Sequence, residues 1–406
     1  MRKVIVLMFA AVAAFSAIAA SVAGADSTRA AGTAAPSCKQ ALIALTGPYT
    51  GPAGTAGLDQ RNWGRIFISS WNAGKPIPGV PKGFKRTKLK AIEADTALNP
   101  QLAATVAVQL RSNKNLLAVN GFSGSQENVA GGPILRRGGV PFVSGSATRA
   151  SLTDPTEPDG SVLKSGFFRR VVPTDKRQGA TDAAFALNKL GVKSGDAVMT
   201  VDQAEAYSVP LITLITQLLN RAGVNVSRES QSAAQTDFTS LANKAVAQKA
   251  KVVVLATQVA SNAQLFYNQL KSKGFTGAFL ATDGAFDSSQ FKVAGAYISS
   301  FSLDIHDVPV AKPFVADFEK KYGETISFGA PSFVAVQAIA MGISTSCANG
   351  KTSRAEVRRD IGKVKMKTSL LGKPIAFDKF GDVVGGVGFT MFQIGNDGTY
   401  NVVQKG

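Results

Sequence analysis

The sequence predicts an α/β protein of two similar lobes, each built on a parallel sheet with helices on both faces. Three observations point to this fold. An apolar strand, a short polar loop and an amphipathic helix recur as one unit along most of the chain. About 370 residues follow the amino-terminal segment, more than one core usually covers. The units fall into two series, separated by the polar segment at 151–166.

The elements follow from the period of the apolar residues. Strands are expected at 41–47, 88–95, 116–121, 140–145, 196–202 and 251–257. The helices between them end at glycines that are typical helix terminators, such as Gly74, Gly223 and Gly274. Strands that alternate with such helices pair in parallel. The segment 373–403 differs, because Gly-Asp and Asn-Asp-Gly turns there predict a meander of short strands.

The amino end has the layout of a secretory signal peptide over residues 1–25. Arg2 and Lys3 precede an apolar stretch that ends in small residues; a membrane anchor is the alternative. Residues 26–37 contain little to bury, which predicts a flexible leader. We therefore expect an exported, soluble protein, periplasmic or extracellular, with association to the cell surface left open.

The net charge of +18, from 45 basic and 27 acidic residues, raises the question of a nucleic-acid partner. Export argues against one, and the basic residues are scattered along the chain rather than gathered in a stripe. The densest run, at 82–93, alternates in the manner of a solvated edge strand. The sequence therefore predicts no nucleic-acid partner, and the cause of the high charge stays open.

Two strands end in small hydroxyl residues, in "VNGFSGSQ" and "VPFVSGSAT". Ligands of parallel sheets bind at the carboxyl ends of strands, where helix amino ends offer unpaired N–H groups to anions. These loops predict an anion-binding cradle for a small ligand. The cradle consists of Ser123, Gly124, Ser125, Ser146, Ala147 and Thr148. Ordinary helix capping is the alternative, because serine and threonine are preferred there anyway.

Catalytic and cofactor chemistry finds no support in the residues. His306 is the one histidine and lies away from the cradle, so that no nucleophile has an adjacent base. No Cys/His cluster offers metal ligands, and the glycine-rich stretches lack the lysine spacing of a phosphate loop. We expect a protein that is not an enzyme and has no cofactor and no metal.

The chain resembles the extracytoplasmic solute-binding proteins of the leucine/isoleucine/valine-binding type, which serve ATP-driven (ABC) importers. The markers run through the whole mature chain in order: "IALTGPYTGPAGTAG", "VNGFSGSQ", "GGVPFVSGSATRASLTD", "FFRRVVPTDKRQGA", "VDQAEAYS", "ATDGAFD" and "IAFDKFGDVVGG". The resemblance implies the type I periplasmic-binding-protein fold, with two lobes that close over a ligand like a hinge. It also implies a membrane permease as partner and a monomer.

The resemblance places an amino-terminal lobe at 38–170 and 304–370, and a carboxyl-terminal lobe at 171–303 and 371–406. Three crossings join the lobes, expected at 169–172, 299–304 and 370–375. The helix that ends at Cys347 then belongs to the lobe whose first strand begins at Cys38. We expect a disulfide between these two cysteines, since an exported pair is more often bonded than free. Two free thiols, or a lipid on Cys38, are the alternatives.

The resemblance also implies roles for single residues. In the family, groups that match Ser125, Ser146 and Thr148 hold the carboxylate of an amino acid. An acid that matches Asp283 meets its ammonium group, and a ring that matches Tyr207 covers the ligand.

This chain departs from the family pattern at three places. Asp283 is one methylene shorter than the usual glutamate, and aromatic residues are replaced by Ala56 and by Gln258 or Val259. An amino acid is the expected ligand. An amide or a small aromatic acid, a sensory partner in place of an importer, and a capping role for Asp283 stay open.

Overall fold

Fourteen strands and ten helices make up the regular structure of the described residues. The protein is represented by a computed structural model, which describes residues 36–159, 163, 166–385 and 388–406. The expected signal peptide and nearly all of the expected leader lie outside this range. The strands are β1 (Gln40–Gly47), β2 (Lys88–Asp95), β3 (Leu116–Asn120), β4 (Phe142–Ser144), β5 (Phe168–Arg170), β6 (Ala197–Asp202), β7 (Asn225–Ser230), β8 (Val252–Leu255), β9 (Ala278–Ala281), β10 (Tyr297–Ser300), β11 (Lys365–Met366), β12 (Ile375–Ala376), β13 (Thr390–Ile394) and β14 (Tyr400–Gln404). The helices are α1 (Gly54–Asn72), α2 (Pro100–Ser112), α3 (Ser125–Arg137), α4 (Asp175–Asn188), α5 (Ser208–Arg221), α6 (Thr239–Ala247), α7 (Ala260–Ser272), α8 (Lys312–Tyr322), α9 (Ala330–Ser346) and α10 (Arg354–Ile361).

The strands form two large sheets, one in each lobe. The first sheet has the order β2-β1-β3-β4-β5, and all of its pairs are parallel. The second sheet has the order β14-β13-β10-β9-β8-β6-β7 and is parallel from β10 to β7. Its antiparallel edge is the hairpin of β13 and β14, in the segment where a meander was expected. The predicted α/β architecture is confirmed.

Each sheet is buried on both faces because successive side chains of a strand point in opposite directions. In β8, Val252 and Val254 pack in the core that includes α4 and α5. Val253 and Leu255 pack on the other face, in the core that includes α6 and α7. The first sheet is covered in the same way, with α1, α8 and α9 on one face and α2 and α3 on the other.

Helix α9 is the central helix of the first lobe. Its sequence is apolar all round, which is the pattern of a helix surrounded by protein. The helix and the turn after it, Ala330–Asn349, are long and apolar enough to cross a membrane, but 89% of an apolar window of 18 residues within this stretch is buried inside the protein. Burial on every side identifies α9 as a core helix.

The third crossing between the lobes lies later in the chain than the expected 370–375. Ile375 of β12 pairs with Met366 of β11 and is buried in the core of the first lobe, against which Phe377 also packs. The chain joins the second sheet only at β13. The expected position was wrong because the short β11–β12 ladder, which local sequence does not reveal, holds 375–376 against the first lobe.

Cys38 and Cys347 form the expected disulfide. Their Cα atoms are 5.5 Å apart, and the bond links the start of β1 to the end of α9 across 309 residues. The bond occupies the Cys38 sulfur, so a lipid on this thiol is incompatible with the structure. The disulfide closes most of the described chain, from 38 to 347, into one loop.

Removing this disulfide should destabilise the protein. A loop of this length lowers the entropy of the unfolded chain strongly, so we expect the Cys38→Ser/Cys347→Ala double variant to lose roughly 4 to 5 kcal/mol of unfolding free energy. Urea denaturation of both proteins measures the difference. A reductant should shift the midpoint of the parent protein and leave that of the double variant unchanged. Equal midpoints for the two oxidised samples would contradict the expectation.

Candidate functional site

A cavity lies where the strand ends of the two lobes meet. It encloses about 390 Å³ of empty space, part of it open to solvent. Nearly all of its lining residues come shortly after a parallel strand or at the start of the next helix, which is where open parallel sheets bind ligands. The lining residues are Pro48, Ala53, Ala56, Leu98, Ser123, Ser125, Ser146, Thr148, Tyr207, Gln258, Asp283, Gly284 and Phe328.

The cradle forms the first-lobe wall of the cavity. Ser125 is the first residue of α3, where backbone N–H groups have no acceptor within the helix. The Ser146 hydroxyl donates to the Ser123 carbonyl oxygen at 2.9 Å, and the two hydroxyl oxygens are 3.3 Å apart. Loops β3–α3 and β4–β5 are thereby tied together. The wall presents several hydroxyl groups and a helix start to the cavity.

Ala147 is the one cradle side chain named for binding that the structure does not bring to the cavity. It is buried in the core behind the first sheet. Its N–H group donates to the Ser144 hydroxyl at 3.0 Å. Because neighbouring residues in this loop point in opposite directions, Ser146 and Thr148 reach the cavity and Ala147 faces away from it.

The acid side of the cavity belongs to the second lobe. Asp283 begins a short 3-10 turn after β9 and is almost fully buried. The Tyr207 hydroxyl donates to its Oδ1 at 2.5 Å and lies 2.7 Å from the hydroxyl oxygen of Thr282. Burial raises the pKa of Asp283 to about 6, because the carboxylate loses its hydration, while the bond from Tyr207 acts in the opposite direction. Tyr207 therefore orients the acid as well as lining the cavity.

A layer of buried polar groups on α4 lies behind Asp283. Asp175, Gln178 and Asp182 are all buried on one face of this helix. Gln178 donates to the Ser299 hydroxyl at 2.9 Å, and that hydroxyl lies 3.3 Å from Asp182. Burial raises the pKa of both aspartates well above its usual range, and the charge of Asp283 adds to the effect. Sequence reasoning missed this layer, although the spacing of 175, 178 and 182 is that of one helix face.

Gln258 joins the two lobes at the wall of the cavity. Its Nε2 donates to Gln126 Oε1 at 2.7 Å and to Glu205 Oε2 at 3.1 Å. Gln126 belongs to the first turn of α3, and Glu205 lies in the loop that carries Tyr207. Where the family resemblance suggested a lost aromatic ring, the chain has a carboxamide that connects the cradle helix to the second lobe.

The apolar part of the wall was only partly visible in the sequence. Ala56 lines the cavity as the departure from the family pattern implied. Leu98 and Phe328 were missed. Leu98 follows β2 with a φ of 58°, an unusual conformation for a bulky residue, and Asp95 supports this turn by accepting from the Ala97 N–H at 2.9 Å. Phe328 precedes α9 and packs on Phe301 of the second crossing, so it follows no strand.

The cavity combines hydrogen-bond donors on one side, a carboxylate on the other and an apolar wall between them. His306 does not line it; the ring lies between Asp304 Oδ1, at 2.6 Å, and Glu319 Oε1, at 2.8 Å. Within the described ranges, no group of three or more His, Cys, Asp or Glu residues could hold a metal ion. The arrangement is suited to holding a small molecule with polar groups at both ends.

Comparisons of the sequence and of the structure with known proteins point to the same group of proteins. The family model described as periplasmic binding protein matches residues 41–399. An amino acid binding protein of Pseudomonas aeruginosa is 24% identical over 322 residues, 78% of this chain and 81% of that protein. A leucine-, isoleucine-, valine-, threonine- and alanine-binding protein of the same species is 25% identical over 369 residues, 89% of this chain and 92% of its own. The crystal structure of a leucine binding protein from Thermotoga maritima superposes with a TM-score of 0.76 at 24% identity, covering 89% of this chain and 97% of the other.

Burial of Asp283 should make the ligand-free protein less stable at neutral pH. Folding raises this pKa from 3.8 to about 6, so the acid's contribution to stability is complete below pH 4 and is lost as the pH rises through 6. We expect Asp283→Asn to raise the unfolding free energy at pH 7.5 by on the order of 1 to 3 kcal/mol, and to change it little at pH 4.

Chemical denaturation of the ligand-free proteins between pH 4 and 7.5 tests this expectation. Asp397→Asn is the control, because Asp397 is an exposed carboxylate of the β13–β14 turn and its pKa is lowered. A gain for Asp283→Asn that does not depend on pH would show that the buried charge is not its cause.

Proposed function

The chain belongs to the periplasmic binding protein family, and on this basis we propose that it captures an amino acid between its two lobes and delivers it to the permease of an ABC importer. Proteins of this family bind small molecules outside the cytoplasm. The observation that carries the amino-acid ligand is the polarity of the cavity. Its hydroxyl donors come from the first lobe, and its carboxylate, Asp283, comes from the second.

A zwitterion satisfies both sides at once. The carboxylate of an amino acid accepts from the hydroxyls of Ser125 and Thr148 and from the start of α3. The Ser146 hydroxyl joins them when it turns from the Ser123 carbonyl oxygen to the ligand. The ammonium group donates to Asp283, which only accepts when it is ionised. Neither lobe alone can hold both charges, so a bound amino acid links the lobes and favours the closed arrangement.

The location and the partner follow from the same proposal. Residues 1–25 direct export, and the mature protein acts as a soluble monomer in the periplasm or at the cell surface. The family works with ABC transporters, and the membrane permease of such an importer receives the ligand. We expect binding without turnover, because the described residues of the cavity wall include hydroxyls and a carboxylate but neither a cysteine nucleophile nor a histidine to act as a base.

A ligand screen tests the proposed class. Purified protein is heated with amino acids, their amides, polyamines and small aromatic acids, and the unfolding temperature is recorded. A true ligand at 100 times its dissociation constant adds about 2.7 kcal/mol to the stability of the folded state. Stabilisation by aromatic acids or amides alone would contradict the amino-acid assignment.

Ligand capture should contract the molecule and leave the ligand intact. We expect the radius of gyration from small-angle X-ray scattering to fall when the stabilising amino acid is added, because the lobes close over it. Mass spectrometry should recover the ligand unchanged after prolonged incubation. Recovery of a product derived from the ligand would show that the protein is an enzyme.

Asp283→Ala should weaken an amino-acid ligand by roughly thirtyfold or more, since the loss of one partner leaves the other charge buried and unpaired. A ligand that lacks the ammonium group should lose much less. Calorimetry with both ligands measures the two effects, and Asp397→Ala, which removes an exposed carboxylate, is the matched control. An Asp283→Ala protein with unchanged affinity for its amino acid would show that this acid only caps the turn.

A further inference from the structure

The carboxamide of Gln258 is held in one orientation by contacts on both sides of the cleft. Its Nε2 donates to Gln126 Oε1 at 2.7 Å and to Glu205 Oε2 at 3.1 Å. The Glu205 carboxylate itself accepts from two backbone N–H groups, those of Tyr207 at 2.6 Å and Ser208 at 2.9 Å. The carboxylate oxygens of Glu205 accept and do not donate, so the amide nitrogen of Gln258 faces them, and this contact sets the orientation of the carboxamide.

The amide oxygen is left facing the cradle. Gln258 Oε1 lies 3.1 Å from the point where a side chain on Gly124 would begin. Gly124 is flanked by Ser123 and Ser125, which both line the cavity, as Gln258 does. Among the described residues, no donor bonds to Gln258 Oε1, whereas both hydrogens of Nε2 are used. A fixed acceptor with free lone pairs therefore stands at the cavity wall.

One side of this acceptor is apolar, and Gln126 Oε1, which lies 3.1 Å from the same point, is an acceptor as well. Leu98 reaches the same point, with its Cδ1 at 2.8 Å from the position of a Gly124 side chain. Pro48, Ala56 and Phe328 form other parts of the wall. Burying a hydrogen-bond acceptor away from water without a donor costs free energy. A ligand that fills the cavity next to Gln258 Oε1 with methyl groups alone would leave this oxygen without a donor.

We propose that Gln258 determines specificity: its Oε1 accepts a hydrogen bond from the ligand's side chain, so the site prefers amino acids with a hydroxyl or carboxamide group over aliphatic ones of the same shape. The proposal rests on the proposed function, since it concerns the side chain of an amino acid bound in this cavity. Sites built to pair with a polar group reject analogues that lack it.

Three pairs of amino acids of equal shape test the preference in the parent protein. They are serine and 2-aminobutyrate, threonine and valine, and asparagine and leucine. Calorimetry gives the dissociation constant of each amino acid. In the pair that binds most tightly, we expect the polar member to bind about tenfold more tightly than the aliphatic member. Tighter binding of the aliphatic member, or equal binding, would overturn the proposal.

Two variants assign the effect to the amide oxygen. Gln258→Met has a similar length and no strong acceptor, and it should reduce the tenfold ratio to about one or invert it. Gln126→Met is the matched control: it loses the same bond across the cleft, but it offers nothing to the cavity. It should weaken both members of the pair alike and keep the ratio. A ratio that changes equally in both variants would mean that the bridge alone, and not the acceptor, sets the preference.

Failure of this inference and failure of the proposed function are distinguishable. If the folded parent protein binds no amino acid, the proposed function falls and the inference falls with it. If amino acids bind but the aliphatic member wins, only the role of Gln258 is overturned. The measurements on the parent protein decide this even if Gln258→Met does not fold.

Discussion

A parallel sheet has to be covered on both faces, because its strands carry apolar side chains in both directions. Both large sheets of this chain are covered in this way, and the covering determines where the site lies. A helix follows most of the parallel strands to cover the sheet, and it returns the chain to the edge from which the strand began. The carboxyl ends of the parallel strands of one sheet therefore lie along one edge, and the cavity forms where the two edges face each other. Ser125 and Asp283 reach it from opposite lobes for this reason.

The second lobe holds several carboxyl groups out of water next to this edge. Asp283, Asp175 and Asp182 are all buried, and each has a raised pKa, mainly because of burial. Within the described structure, neither side-chain oxygen of Asp175 has a hydrogen bond of normal geometry. Such an arrangement lowers the stability of the ligand-free protein. A positively charged ligand group beside Asp283 would favour the ionised form of this acid, which is consistent with the proposed ligand.

The lobes are already in contact across the cleft in this structure. Gln290 donates to the Thr55 hydroxyl at 2.8 Å, and Arg149 donates to the Ala206 carbonyl oxygen at 2.5 Å, in addition to the bridge made by Gln258. These bonds between the lobes favour the closed arrangement. A ligand then has to supply only the difference between the open and closed states, so changes at these contacts alter affinity without touching the ligand.

Much of the fold and of the site was predictable from the sequence, because it depends on local features. The period of apolar residues identifies the strands and helices, and a strand followed by small hydroxyl residues marks a ligand-binding edge. Ser125, Thr148 and Asp283 were found in this way and by family resemblance, and all line the cavity. The pairing of Cys38 with Cys347 followed from the family resemblance, which assigns their elements to one lobe.

Contacts between distant segments were decided only by the tertiary structure. Gln126 and Gln258 are 132 residues apart, and Tyr207 and Asp283 are 76 apart, so no local pattern shows that they meet. Ala147 turns away from the cavity because the loop alternates, and Phe328 reaches it without following any strand. Sequence period determines which residues share a strand edge, whereas the direction of each side chain and its partner across the cleft depend on how two separately covered sheets pack together.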